Sequence, residues 1–305
     1  MAYSASRKAL MSVFSSSSSF SSSPSTPSSP ARASRPQSIV TRLRAAGCVF
    51  AEDEARLLIC AAATPADLAV MVDRRAAGVP LEHVLGWAEF CGLRIAVDPG
   101  VFVPRRRTEF LVHQAAALAR PAPARQPPAS QTRARPVVVV DLCCGSGAVG
   151  AALAATLGEI ELHAVDIDPA AVRCARRNVA TAAGRVYEGD LDRPLPATLR
   201  GRVDVLVANA PYVPTREVTL LPREARVHEL RAALDGGADG LDTLRRVAGT
   251  APGWLAPGGH LLVETSERQA PIVAEILTGN GLRPRVAGQD EWAATVVIGT
   301  KAADA

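Results

Sequence analysis

The chain has 305 residues, 48% of them hydrophobic, enough for one α/β domain with a smaller companion and too apolar for global disorder. No apolar run reaches the roughly 18 residues that a membrane span requires, so no membrane association is expected. The formal net charge of +4 hides an asymmetry: residues 1–51 hold six basic and no acidic side chains, leaving 28 basic against 30 acidic residues, a net of −2, in the rest. That body lacks the positive field which strong nucleic-acid binding needs.

Residues 1–38 form a Ser/Pro-rich stretch, short of aromatics and free of acids, and are expected to be a disordered tail. An organelle transit peptide has a similar composition. Lysine, however, occurs only at Lys8 and Lys301 among the 34 basic residues, and alanine is abundant, as in proteins of GC-rich bacteria. A cytoplasmic bacterial protein, with a dispensable tail or a true start at Met11, is the expectation over import. The six cysteines (Cys48, Cys60, Cys91, Cys143, Cys144 and Cys174) form no C-x-x-C pair and no metal-ligand spacing with the histidines, which points to a reducing compartment and no metal.

Residues 39–86 read as a small helical domain. Glu52, Asp53 and Glu54 suit a first turn, with Leu57, Leu58 and Cys60 as apolar positions. A second helix starts with Thr64 as N-cap and Pro65 at its first position, and buries Leu68 and Val72. Residues 87–103 alternate and contain Gly92 and Asp98-Pro99-Gly100, which predicts a β-hairpin connector. Residues 104–305 form the main domain. In it Thr108 is placed to cap a helix carrying Phe110, Leu111 and Leu118, and residues 120–136 are a Pro/Ala/Arg linker. The runs Arg105-Arg106-Arg107 and Arg133-Ala134-Arg135 read as solvated faces.

Beyond the linker, apolar strands at 137–141, 162–166, 186–188, 203–209 and 260–264 alternate with helices, one reaching Leu157 and one capped near Asp168-Pro169. Such βα units give a parallel sheet covered on both faces. The last two strands, 283–287 and 295–300, are joined only by Gly288-Gln289-Asp290-Glu291 and must run antiparallel. An α/β, doubly wound, seven-stranded sheet with a final antiparallel strand is the class I S-adenosylmethionine-dependent methyltransferase architecture.

The strand at 137–141 runs into Asp141-Leu142-Cys143-Cys144-Gly145-Ser146-Gly147. The glycines let the backbone turn tightly at the carboxyl edge of the sheet, where open α/β proteins bind ligands. Read literally, Gly145-x-Gly147-x-x-Gly150 is also the dinucleotide fingerprint, which keeps an NAD-dependent oxidoreductase open. Asp141 suits a cationic methionyl amino group and sulfonium better than a pyrophosphate, and no hydride-transfer constellation follows. S-adenosyl-L-methionine is therefore the expected cofactor. Asp166, at the end of the second strand, is placed to accept the ribose hydroxyls. Asp190 is expected near the adenine edge, with Leu191 against the ring. Phe102 either covers the cofactor from the hairpin side or belongs to the core.

The strand at 203–209 ends in Asn209-Ala210-Pro211-Tyr212 on the same edge. An amide nitrogen is a poor nucleophile, so acceptors must hold its N–H groups and orient it. The Asn209 side-chain oxygen and the Ala210 carbonyl can do this, with Pro211 stiffening the turn and Tyr212 packing on the planar acceptor.

This loop resembles the Asn-Pro-Pro-Tyr of methyltransferases that act on DNA adenine, RNA guanine or protein glutamine. Pro80-Leu81-Glu82-His83-Val84-Leu85-Gly86, Val103-Pro104-Arg105-Arg106-Arg107-Thr108-Glu109 and Ala233-Leu234-Asp235-Gly236-Gly237-Ala238-Asp239-Gly240-Leu241 narrow the resemblance to the HemK/PrmC-type protein-(glutamine-N5) methyltransferases, over residues 39–300. The resemblance implies that the target is the glutamine of the Gly-Gly-Gln loop in peptide chain release factors, or a glutamine of a ribosomal protein. It puts cofactor binding on residues 143–147, Asp166, Asp190, Leu191 and Asn209. Glutamine binding and catalysis fall on Asn209, Ala210, Pro211 and Tyr212, and substrate recognition on residues 39–86. Two departures stand out: Ala210 replaces the first proline, and Arg106-Arg107 replace Pro-Glu in the usual Pro-Arg-Pro-Glu-Thr-Glu. Methylation of a nucleic-acid base by the same loop is the alternative.

Overall fold

A computed structural model describes residues 36–119 and 135–303; residues 1–35 of the expected tail and most of the expected linker, Arg133 included, lie outside the described residues, whereas residues 36–38, expected in the tail, begin a helix. The chain divides between Leu85 and Gly86 into two compact units.

The first unit is helical: α1 (Pro36–Ala45), α2 (Ala51–Ala61), α3 (Pro65–Ala76) and α4 (Leu81–Leu85). Leu43, Leu58, Val72 and Leu81 form its core. Thr64 caps α3 as expected, its hydroxyl accepting the Asp67 N–H at 3.1 Å with Pro65 at the first position. Cys60 is exposed. Leu58 faces the core, and a residue two places on lies about 200° around the helix. Leu68 is only half-buried. Glu54 stands in the first turn of α2 as expected, is 2% exposed and pairs with Arg75 of α3 at 2.6 Å.

The second unit opens with a hairpin, β1 (Trp87–Phe90) and β2 (Leu93–Ala96). Its two-residue turn, Cys91-Gly92, has both residues at positive φ (50° and 72°), the form whose twist matches that of the strands. The pairing ends at Ala96, so the expected hairpin is shorter than its sequence pattern. Residues 97–105 continue as a connector that buries Val97, Val101 and Val103. A 3₁₀ turn, Arg106–Thr108, then leads into α5 (Glu109–Ala119). Leu111 of α5 is fully buried, while Phe110 and Leu118 pack at the edge of the core.

The sheet comprises β3 (Val137–Leu142), β4 (Ile160–Asp166), β5 (Arg185–Glu188), β6 (Val203–Ala208), β7 (Leu255–Thr265), β8 (Leu282–Gln289) and β9 (Ala294–Lys301). Their order is β5-β4-β3-β6-β7-β9-β8, with β9 antiparallel to both its neighbours and the other five strands paired in parallel. Alternate residues of each strand feed opposite faces. Val139, Val207 and Leu262 meet α5, α6 (Ala148–Leu157) and α7 (Pro169–Asn178). Val140, Leu206 and Leu261 meet α9 (Asp242–Trp254) and α10 (Ala270–Gly279). Between β6 and α9 lies an insertion with one short helix, α8 (Arg223–His228). The doubly wound sheet with its inserted antiparallel strand is the class I methyltransferase architecture expected above.

Strand order reverses between β3 and β6, and open α/β sheets bind ligands at such switch points. Val165, Leu142, Ala208 and Val263 are register partners across four strands. The residues that follow them, Asp166, Cys143, Asn209 and Glu264, therefore emerge side by side on one edge.

Candidate active site

The turn after β3 is built from backbone bonds and two carboxylates. Gly145 and Gly147 have φ of 54° and 76°, Gly147 N–H donates to the Cys144 carbonyl at 2.8 Å, and Cys144 N–H donates to Val165 at 3.0 Å. A side chain at Gly147 would press on Ala175 at 3.0 Å, which is where α6 and α7 meet behind the loop. Buried Ser146 gives its carbonyl to the Asn178 amide at 2.8 Å. Asp166 accepts from Gly145 N–H (2.8 Å) through one oxygen and from Asp168 N–H (2.9 Å) through the other, while Asp168 caps α7. Burial raises the Asp166 carboxyl above its usual range. A carboxylate has about four acceptor positions, so two remain for hydroxyl donors.

Asp141 is placed differently from expectation. It is 1% exposed and lies behind the loop, accepting the Gly150 N–H of α6 at 3.0 Å. One of its oxygens thereby ties the loop to α6. Burial raises its carboxyl to about 7. The arrangement also counts against the dinucleotide reading. A pyrophosphate needs free N–H groups at the glycine turn and the helix start. Here Gly145 and Gly150 already give theirs to Asp166 and Asp141. The thiols of Cys143 and Cys144 are pushed up by burial and by these carboxylates, so both stay protonated and neither is a nucleophile.

Asp190 lies beyond β5 and is bound by Arg246 of α9 through both oxygens (2.7 and 2.6 Å), which lowers its carboxyl. Leu191 sits at φ 52° and is 8% exposed, packed with Leu142 and Val165 in the core on that face. Phe102 belongs to neither sheet-face core; the Arg105 guanidinium lies 4.8 Å from its ring.

The acceptor loop starts at the end of β6. The Asn209 amide donates from Nδ2 to the hydroxyl of Thr108 at 3.3 Å. Thr108 thus supports this loop instead of capping α5. Among the described residues nothing donates to Asn209 Oδ1, and neither the carbonyl nor the N–H of buried Ala210 has a partner. Two acceptors at the cofactor edge are therefore open. Tyr212 donates its hydroxyl to Glu264 at 3.2 Å, and burial beside that carboxylate keeps the phenol protonated.

The glycines of residues 236–240 explain themselves here. A side chain at Gly240 would lie 2.3 Å from the Tyr212 carbonyl, and one at Gly236 2.6 Å from that of Pro211. Gln269 completes the support by donating to the Tyr212 and Asp239 carbonyls, each at 3.0 Å.

The arginine run corrects a further expectation. Arg105 binds Glu229, which is 6% exposed, at 2.5 Å, and Arg107 binds Glu264, which is 2% exposed, at 3.0 Å. These are anchors between the connector and buried acids, not a solvated face. Arg106, between them, lies 5.6 Å from the Trp292 ring. Arg135 pairs on the surface with Asp204. Glu229, Glu264, Gln269 and Arg246 escaped sequence reasoning, and Thr108 reads in the sequence only as a helix cap. Only the glycine spacing of residues 236–240 hinted at a crowded neighbour.

Comparison with known proteins gives the family. A model of the methyltransferase small domain matches residues 129–239. The chain is 38% identical over 231 residues, 75% of each protein, to the release factor glutamine methyltransferase of Geobacter sulfurreducens. The chain belongs to that family. It is also 38% identical over 208 residues to the Streptomyces coelicolor member, covering 68% of this chain and 70% of the relative. A solved release-factor-specific protein-(glutamine-N5) methyltransferase of Alicyclobacillus acidocaldarius is 23% identical, with a TM-score of 0.38 over 66% of this chain and 94% of that one. The family's cofactor, S-adenosylmethionine, fits a loop that offers carboxylates and hydrophobic walls rather than phosphate-binding amides. No described helix is long and apolar enough to cross a membrane.

Proposed function

We propose that this chain methylates the side-chain amide nitrogen of a glutamine in a peptide chain release factor, in the bacterial cytoplasm. The observation that carries the reading is the pair of open acceptors, Asn209 Oδ1 and the Ala210 carbonyl, next to the glycine loop at the switch point. When bound, S-adenosylmethionine supplies a methyl group made electrophilic by its sulfonium. The loop of Cys143, Cys144, Gly145, Ser146 and Gly147 shapes its site. Asp166 holds the ribose hydroxyls, and Asp190 and Leu191 border the adenine, with Phe102 as a cover.

On the acceptor side, a primary amide has two N–H groups and needs two acceptors to be held in one orientation. Asn209 and Ala210 provide them, and both partial charges favour the positive charge that develops on nitrogen as the new bond forms. Pro211 keeps the turn stiff, and the ring of Tyr212 packs on the amide plane. The helical unit supplies further contacts to the protein substrate.

The test is to incubate the enzyme with methyl-labelled S-adenosylmethionine and its own organism's release factors, then map the label by mass spectrometry. One methyl on the glutamine of Gly-Gly-Gln is expected. Label confined to another protein, a ribosomal one included, refutes the target. Label in nucleic acid refutes the reaction class.

A further inference from the structure

Asn209 and Tyr212, the two functional ends of the acceptor loop, are both held from one short turn far away in the chain. Thr108, 2% exposed, accepts Nδ2 of Asn209 at 3.3 Å. Its neighbour Arg107 donates Nε to Glu264 Oε1 at 3.0 Å, and the same oxygen accepts the Tyr212 hydroxyl at 3.2 Å. The other carboxylate oxygen, Oε2, is buried with no partner.

A 2%-exposed carboxylate with one unpaired oxygen is a costly way to staple a fold, since apolar packing of equal volume does that better. Its geometry makes sense as a device for fixing a hydroxyl. Arg107 places its positive charge beside Glu264 at 3.0 Å, and its guanidinium lies 5.8 Å from the Tyr212 ring.

We propose that Arg107 and Thr108 are positioning residues that clamp the acceptor loop at both ends. Thr108 takes the amino end of the Asn209 amide and leaves Oδ1 to accept from the substrate. Arg107 acts through Glu264 to hold Tyr212 at one tilt, so that its ring meets the acceptor amide flat. Neither touches the reacting atoms. The inference rests on the acceptor-loop reading given above.

The test is a double-mutant cycle on purified enzyme with the methyl-accepting protein, reading kcat, both KM values and melting temperature. R107M, Y212F and T108V should each lower kcat/KM for the acceptor by about tenfold, the scale of one orienting hydrogen bond, with KM for S-adenosylmethionine within about twofold. R107M/Y212F should be no worse than the poorer single variant, because both break one linkage. R107K, which keeps a cation beside Glu264, and T108S, which keeps the hydroxyl, should recover most of the loss.

Losses that multiply in the double variant overturn the proposal. So does full activity in R107M and T108V, or a lowered melting temperature without a change in kcat/KM. Should R107M fail to fold, the comparison of T108V with T108S and of R107K with Y212F carries the test. N209A in the same assay separates the two readings. If it is fully active, the acceptor-loop assignment fails; if it is inactive while T108V and R107M are unimpaired, only the clamp fails.

Discussion

The two halves of the candidate site are held together by different physics. On the β3–β4 side, two carboxylates bind backbone N–H groups close by: Asp166 takes Gly145, and Asp141 takes Gly150 nine residues on. On the β6–β7 side, buried carboxylates bind arginines of a distant connector. Arg105 meets Glu229 across 124 residues, and Arg107 meets Glu264 across 157. The first half is a local motif completed by two adjacent strands. The second is assembled only when the whole sheet has formed. A loop built the first way is tuned by its own residues, whereas one built the second way responds to changes far along the chain.

The largest effect expected on this contrast is at Asn209. Its carbonyl is one of two open acceptors, so Asn209→Ala should lower kcat by about 10²–10³, the cost of one preorganised polar group. The cofactor half keeps its own bonds, so the KM for S-adenosylmethionine should change far less. Steady-state kinetics with both substrates varied checks this, and a fully active variant would remove the ground for choosing an amide acceptor.

Asp166→Ala probes the other half. It removes the ribose acceptors and the anchor of Gly145, so S-adenosylmethionine affinity measured by calorimetry should fall by about 1.5–3 kcal/mol, the range for bonds to charged groups. Unchanged affinity would show that the carboxylate serves only the loop.

These two residues also show what the sequence could convey. The strand positions, the glycine turn, Asp166 and Asn209 are legible because each is announced by its immediate neighbours: apolar runs, glycines, a Pro-Tyr turn. Asp141 was visible but misplaced, because sequence spacing puts it at the edge without saying that its side chain turns back to α6. Arg105 and Arg107 looked like solvated charge because their acids stand more than a hundred residues away, in segments with no motif of their own. Thr108 reads as a helix cap by its spacing. Its actual partner, Asn209, is 101 residues distant. Long-range polar pairing has no periodicity, and that is the part which sequence patterns do not carry.

The halves should also differ in their response to pH. Asp141 is buried without a cation, and its carboxyl is raised from 3.8 to about 7. The folded state then holds a proton that the unfolded chain has released, so this group's contribution to stability is most favourable near or below pH 4 and falls as pH rises toward 7. The slope is about 1.4 kcal/mol per pH unit, or about 2 kcal/mol between pH 5 and 6.5. Asp141→Asn keeps the acceptor for Gly150 and removes the titration. Its stability relative to wild type, from urea melts, should therefore rise across that interval and flatten above pH 7. A difference that is constant with pH would mean that Asp141 is ionised in the fold.

The smallest effect is expected at Asp190, and it sharpens the contrast within the cofactor half itself. Asp166 ends β4 and Asp190 follows β5, and the proposed function has both meet polar edges of one ligand. Their surroundings differ. Asp166 is largely buried and its remaining acceptor positions meet no side-chain cation, so a ligand hydroxyl gains a strong bond there. Asp190 has a side chain 27% exposed, is already bound twice by Arg246, and has Arg193 at 3.3 Å. Any ligand N–H must share a carboxylate that water and two guanidinium groups already satisfy, which leaves little net gain. Asp190→Ala should therefore weaken S-adenosylmethionine binding by less than about 1 kcal/mol. Arg246→Ala, which frees the carboxylate, should tighten binding slightly or leave it unchanged. Calorimetry on the two variants decides the matter. A loss at Asp190 as large as that at Asp166 would show that Arg246 orients the carboxylate for the ligand instead of competing with it, and the two carboxylates would then be equals.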